Sequence, residues 1–187
     1  IQTIENIKHI SKTIQLELIF PRREKNSSDK LIELQKFYSF NEEFIISMTP
    51  HNLPFGKVSI MKKYFFLISH FLWARQVSKK YNNNSNDIFF TRSDWIFFFL
   101  SKKEINITFE CHQLTKLRKW LINRSLKYKR SKLICLNMQI LDDLKLPKKD
   151  ANKILVLPNG VDTSNFSKFN HRNGRELLFI GNLNRFE

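Results

Sequence analysis

The chain has 187 residues, and its 42% hydrophobic content is enough for an apolar core, which excludes a wholly disordered protein. Thirty-two basic residues against 17 acidic ones give a net charge of +15, which indicates an anionic partner such as nucleic acid, anionic lipid or a phosphorylated substrate. Compositional drift is the competing explanation, because lysine, asparagine, isoleucine and phenylalanine are abundant and glycine is scarce. The longest apolar run, 64–74, is shorter than the ~20 residues of a membrane span.

Helix-like and strand-like segments alternate along the chain, which predicts an α/β fold with a mainly parallel sheet and flanking helices. The predicted elements, in chain order, are a helix over 1–12, a strand over 16–20, a helix over 30–37, a strand over 44–48, a helix over 59–81, a strand over 87–92, a helix over 93–100, a strand over 105–110, a helix over 114–128, a strand over 133–136, a helix ending near 144 and a strand over 153–157. Six strands with interleaved helices describe a Rossmann-like sheet that lacks its first strand.

Two cysteines, Cys111 and Cys135, lie in apolar strand-like runs and form no metal or redox motif. They are interpreted as buried, reduced thiols, as in a cytosolic protein. The apolar run of the predicted 59–81 helix is interpreted as buried because it is apolar on all sides. The residues of this run that we expect to be buried are Phe65, Phe66, Leu67, Phe71, Leu72 and Trp73.

Ligands of parallel α/β sheets bind at the carboxyl ends of the strands, so polar residues that follow strands are the candidate site. These residues are Thr91, Arg92, Ser93, Glu110, His112, Asn137, Asn159 and Gly160. After the last of these strands, Pro158 ends the ladder because it has no N–H, and Gly160 permits the positive φ of a sharp exit. A second apolar strand, 177–180, then ends at Gly181. The pattern predicts a chain that leaves one sheet and enters another.

Four motifs in this order resemble those of family 4 (group 1) glycosyltransferases: "DIFFTRS" at 87–93, "INITFECH" at 105–112, "LICLN" at 133–137 and "PNGVD" at 158–162. The resemblance spans the chain, although the first sixty residues match only loosely. It implies the N-terminal half of a GT-B fold, truncated at both ends. Residues 1–165 would form the Rossmann-like, acceptor-side domain, 166–174 a linker, and 175–187 the start of the nucleotide-sugar domain.

The resemblance also implies a retaining glycosyltransferase that moves a sugar from a nucleotide-sugar donor to a glycan or lipid-linked acceptor, in cell-envelope polysaccharide synthesis. Such enzymes need neither a metal ion nor a cofactor, and they work in the cytoplasm or on the inner face of the plasma membrane. No nucleic-acid partner is expected. Because most of the donor domain would be missing, the fragment by itself is expected to be inactive.

The residue on which this resemblance bears most is His112, which matches the family's histidine facing the donor sugar and the acceptor. It would hydrogen-bond the reacting sugar, with proton transfer as an option; the alternative is a histidine that merely caps a strand exit. Glu110 would orient His112 or lie on the helix side. Arg92 would bind an acceptor phosphate, or it is an ordinary surface arginine.

At the domain junction, Asn159 and Gly160 would shape the turn at the cleft edge, with their backbone near the substrate. Gly181 would let its loop approach the donor phosphates closely. The family places an arginine after this glycine, whereas this chain has Asn182. Arg185 would replace that arginine only if the loop bends differently, so a non-catalytic homologue also fits the sequence.

The segment 113–132 holds eight basic residues and no acidic one. On a helical wheel Leu114, Leu117, Leu121 and Tyr128 share one face, opposite the basic residues. The segment is either a core-packed helix with a solvated basic face or a surface that docks on an anionic leaflet. A basic nucleic-acid-binding module is the alternative function, but its usual motifs are missing from the sequence.

Overall fold

The computed structural model describes residues 2–22, 28–50, 62–81 and 87–160. Its elements, in chain order, are α1 (Gln2–Ser11), β1 (Glu17–Pro21), α2 (Leu31–Tyr38), β2 (Ile45–Thr49), α3 (Lys62–Lys79), β3 (Ile88–Thr91), α4 (Asp94–Ser101), β4 (Asn106–Cys111), α5 (Lys116–Ser125), β5 (Ser131–Cys135), α6 (Met138–Leu144), a 3₁₀ helix (Lys148–Lys153) and β6 (Ile154–Val156). The predicted α/β fold with mainly parallel sheets and flanking helices is confirmed, as a partial Rossmann-like fold.

All strand pairs in the described residues are parallel, and they form two sheets. One sheet contains β1 and β2, and the other has the order β3-β4-β5-β6. The single sheet expected from the alternation is therefore divided into a two-stranded and a four-stranded part. Within the larger sheet, Thr91 on β3 is in register with Phe109 on β4, and Cys111 with Cys135 on β5. The carboxyl ends of β3, β4 and β5 consequently lie along one edge.

The four-stranded sheet packs against its helices through a large apolar cluster, which we call the large cluster. Its centre is the stacked pair of Phe97 on α4 and Phe109 on β4, with ring centroids 5.2 Å apart and both residues fully buried. Alternate side chains of a strand lie on the same face of the sheet, and on β4 Ile107, Phe109 and Cys111 are all buried in the large cluster. The strand that bears the candidate site is thus the most deeply buried one.

A second, smaller cluster lies among α1, α2 and the two-stranded sheet, and we call it the small cluster. It contains Ile4, Ile7, Phe40 and Phe44, and the rings of the two phenylalanines stack at 5.7 Å. Ile4 and Ile7, which are three residues apart, therefore lie on one buried face of α1.

The predicted elements that fall within the described residues are present, but several details were wrong. The 3₁₀ helix over Lys148–Lys153 was not predicted. In α3, Phe66, Leu67 and Leu72 are exposed rather than buried, because the helix packs through Trp73, Ala74 and Val77. The wheel drawn for α5 was also wrong at Leu117, which is exposed, whereas Leu121 and Ile122 are fully buried.

The helices in the described residues include none with both the length and the apolar character needed to cross a membrane. The predicted linker (166–174) and the predicted start of a second domain (175–187) lie outside the described residues.

Candidate functional site

The candidate site begins with the register of two neighbouring strands. β3 ends at Thr91 and β4 at Cys111, and the pairing of Thr91 with Phe109 brings Arg92 beside Glu110. Glu110 is buried, with 5% of its surface exposed. A buried carboxylate needs a charged or hydrogen-bonding partner to offset its loss of water. The sequence supplies that partner one residue beyond the end of the adjacent strand.

The guanidinium of Arg92 forms a bidentate ion pair with the Glu110 carboxylate, which we call the fork. Nη2 donates to Oε1 at 2.9 Å, and Nε donates to Oε2 at 3.2 Å. The remaining arm, Nη1, donates to the hydroxyl of Thr3 on α1 at 2.9 Å. Bidentate geometry of this kind fixes both groups more firmly than a single contact. Arg92 is therefore engaged within the chain, and its proposed use as a phosphate ligand would compete with this ion pair.

The same carboxylate holds His112. Its Nε2 lies 2.6 Å from Oε1 of Glu110, so Nε2 carries the hydrogen in the neutral ring. Nδ1 is then the basic nitrogen, and the side chain is 30% exposed. Of the two alternatives for Glu110, the structure shows contact with His112. The arrangement offers a partly exposed, oriented imidazole backed by a buried carboxylate, which can accept or donate a hydrogen bond or a proton.

The loop after β4 is held by a second ion pair. Nε of Arg118 on α5 lies 3.3 Å from Oδ2 of Asp94 at the start of α4. Nη1 of Arg118 also donates to the backbone carbonyl of Gln113 at 2.7 Å. The Cys111 thiol donates to that carbonyl as well, at 3.4 Å. These contacts constrain the residues on either side of His112.

Helix caps complete the edge. Thr115 accepts a hydrogen bond from the amide of Arg118, and Asn137 accepts one from the amide of Ile140 at 2.9 Å. Ser93 caps α4, and its hydroxyl also lies 2.9 Å from Nε2 of His70 on α3. Asn137 thus has a structural role, because its side chain starts α6.

The contributions of Thr3, His70, Asp94 and Arg118 were missed by reasoning from sequence. All four reach the edge from helices, whereas the rule that ligands bind at strand ends points only to residues that directly follow strands. Asp94 alone carried a usable signal, as an acidic residue in the first turn after a serine cap. For Thr3, His70 and Arg118, the neighbouring sequence does not indicate which strand end each residue approaches.

The two cysteines are buried free thiols, as predicted. Burial raises the pKa of Cys135 to about 12, and the neighbouring Cys111 adds to the rise. Burial also raises the pKa of Cys111, although the Arg118 charge opposes the rise. Since the thiolate is the reactive form, both thiols are poor nucleophiles at neutral pH.

The junction residues fall at the limit of the described chain. Asn159 and Gly160 are exposed. A Cβ added at Gly160 would meet no atom within 4 Å of the described structure, and φ lies outside the left-handed region, so the expected need for glycine at this turn was wrong. Gly181, Asn182 and Arg185 lie outside the described residues.

No group of three metal-ligating side chains exists among residues 2–22, 28–50, 62–81 and 87–160. In comparisons with known proteins, no family model, no curated protein and no solved structure matches this chain. The class that the fold and the edge define is accordingly an α/β protein with a Rossmann-like partial fold and a polar cluster at the carboxyl edge of its parallel sheet.

Proposed function

We propose that the chain is the acceptor-side part of a retaining glycosyltransferase, which transfers a sugar from a nucleotide-sugar donor to a glycan or lipid-linked acceptor. One observation carries this proposal: the His112 imidazole is oriented by the buried Glu110 carboxylate at the carboxyl edge of a parallel sheet. Sheets of this type bind ligands at that edge. The four motifs that resemble family 4 enzymes supply the reaction class.

In this proposal His112 contacts the reacting sugar. Glu110 holds Nε2, which leaves Nδ1 to meet a sugar hydroxyl, and the hydrogen bond strengthens as charge develops in the transition state. The chemistry asks no more of His112 than an oriented hydrogen bond, which suits a group that is only partly exposed.

Arg92 and Thr3 act through Glu110 in this scheme. The fork from Arg92 fixes the carboxylate in one orientation, and Thr3 fixes the guanidinium from α1. They are positioning residues, because neither is required to touch the sugar. A bidentate contact with an acceptor phosphate would cost Arg92 its contact with Glu110, which is why positioning is the role we assign.

A transfer assay tests the proposal. The native protein that contains this sequence is incubated with a panel of nucleotide sugars and with sugar acceptors linked to polyprenyl phosphate. We expect acceptor-dependent release of the nucleoside diphosphate, and NMR of the product should show a retained anomeric configuration. Replacing His112 with alanine should abolish most of the release, whereas His9→Ala, at an exposed position on α1, should leave it unchanged. Inverted products, or release that survives in the His112 variant, would overturn the proposal.

A further inference from the structure

The outer surface of α3, α4 and α5 carries exposed apolar and aromatic side chains bordered by lysine and arginine. On α3, Ile68 and Leu72 are 52% and 44% exposed, and on α5 Leu117 and Trp120 are 42% and 48% exposed. We call this surface, with Lys116 and Arg124, the basic apolar face. The sequence already offered the basic segment 113–132 as one of two alternatives for docking on an anionic leaflet, whereas the exposed apolar part on α3 was not expected, since that run was predicted to be buried.

The two helices form one continuous surface rather than two separate stripes. Ile68 and Leu117 line the same shallow apolar groove of about 240 Å³, whose other walls are Leu67, Phe71 and Trp95. From Phe71 the rings continue across α4, because Phe71 meets Trp95 edge-on at 4.9 Å. The apolar side chains thus run without interruption from α3 to the start of α5.

Cations flank the far end of this surface. The ring of Phe98 lies 5.9 Å from that of Trp120, and Lys102 lies over Phe98 at 5.5 Å. The guanidinium of Arg124 lies over Trp120 at 5.6 Å. The result is a row of rings with a positive charge at each side, in which the aromatic groups are partly exposed.

The charge on this surface has one sign. Neither α3 nor α5 contains an acidic residue, and the one acidic residue of α4, Asp94, is paired with Arg118. Basic side chains at a leaflet attract anionic headgroups, and Trp and Leu side chains insert at the headgroup boundary. From this complementarity we propose that the basic apolar face docks on the surface of an anionic lipid bilayer.

The chemistry distinguishes this partner from two others. A second copy of the chain would bring two strongly positive surfaces together, since the net charge is +15. Single-stranded nucleic acid would stack its bases on Phe98 and Trp120, but it would leave the aliphatic Ile68, Leu72 and Leu117 without a partner. Only a bilayer uses both the aliphatic groups and the cations. The inference is independent of the glycosyltransferase proposal, because it depends on no residue of the His112 site.

Vesicle co-sedimentation of the chain tests the proposal, with vesicles of phosphatidylcholine alone and of phosphatidylcholine mixed with phosphatidylglycerol. We expect binding to the mixed vesicles, weakened by added salt, and little binding to the neutral ones. The double substitution Trp120→Ala/Arg124→Ala should weaken binding about tenfold or more. The matched control Phe37→Ala/Lys36→Ala removes a more exposed ring and an exposed cation from α2 and should bind as the wild type does.

A second pair of variants guards against loss of folding, which circular dichroism monitors in every variant. Ile68→Glu places a negative charge on the basic apolar face and should abolish binding, whereas Ile32→Glu on α2, at an even more exposed position, should not. Equal binding to both kinds of vesicle, or wild-type binding by Ile68→Glu, would overturn the proposal. So would an absence of vesicle binding together with either binding of a single-stranded polynucleotide or a dimer that Ile68→Glu dissociates.

Discussion

The large cluster and the small cluster differ in depth. Among the described residues, the large cluster has 16 buried members, and Phe97, Phe109 and Cys111 are at 0% exposure. The small cluster has four buried members, each with 5 to 8% of its surface exposed. Since stabilisation follows the apolar area removed from water, most of it comes from the four-stranded sheet. That sheet also bears Glu110, whereas the region of the small cluster contacts the site through Thr3.

The candidate site therefore lies on the four-stranded sheet, which is the more stable part of the molecule. Elements with fewer buried apolar contacts open locally at lower free energy than the elements of a deep core. We therefore infer that the α1–β2 region opens before the four-stranded sheet does. If so, Arg92 would lose its contact with Thr3 on opening and keep its fork with Glu110.

The largest difference between the two clusters is expected when a buried ring is removed from each of them. Phe109→Ala should lower the free energy of unfolding by about 3–5 kcal/mol, because it leaves a cavity in a fully buried site. Phe44→Ala in the small cluster should cost about 1–3 kcal/mol, since that cluster has only four buried members and its surroundings can relax more easily. Urea unfolding of both variants measures the two values. Equal losses, or a larger loss at Phe44, would show that the clusters do not differ as described.

A smaller effect is expected at the ion pair above the large cluster. Glu110→Gln keeps the shape but removes the charge that Arg92 grips, and should cost about 1–3 kcal/mol. The lower part of this range applies because Arg92 is 27% exposed and solvent screens it. The exposed Glu43→Gln is the matched control and should change stability by less than about 0.5 kcal/mol. A Glu110 variant as stable as the control would mean that the fork contributes nothing.

The smallest effect concerns pH and Cys135. The pKa of this thiol is raised to about 12 from an ordinary value of 9.0, so the unfolded chain ionises first as pH rises. The stability that depends on the neutral thiol is complete below pH 9 and is lost between pH 9 and about 12. At pH 10 the loss should be about 1 kcal/mol. Urea titrations at pH 8 and pH 10 measure the slope of the free energy of unfolding against pH. This slope should be shallower in Cys135→Ala than in the wild type. An identical slope in both proteins would contradict this account.

Most of the fold could be predicted because its signals are local. A β-branched and aromatic run marks β4, a short apolar run marks β5, and a capping serine marks α4, so the element order follows from short windows of sequence. The division into two sheets could not be predicted, because the alternation of elements does not say which strands pair. The exposure of α3 was equally hidden, since a helix that is apolar on all sides gives no amphipathic direction.

The candidate site was predictable only in part. Glu110 and His112 follow from the rule that ligands bind at strand ends, together with the resemblance. Their mutual contact required the side-chain geometry, and the fork from Arg92 required the register of β3 against β4. Thr3 could not be found from sequence, because it is 89 residues from Arg92 and lies on α1, a helix that packs in the other cluster.

We propose that His112 contributes to turnover and not to the stability of the fold. Steady-state kinetics and a thermal melt of His112→Ala in the native protein that contains this sequence test it on one preparation. We expect turnover to fall by ~10²-fold or more, as for the loss of an oriented acid–base or hydrogen-bonding group, while the melting temperature barely changes. Unchanged turnover, or a large drop in melting temperature, would show instead that His112 is a structural histidine at the end of β4.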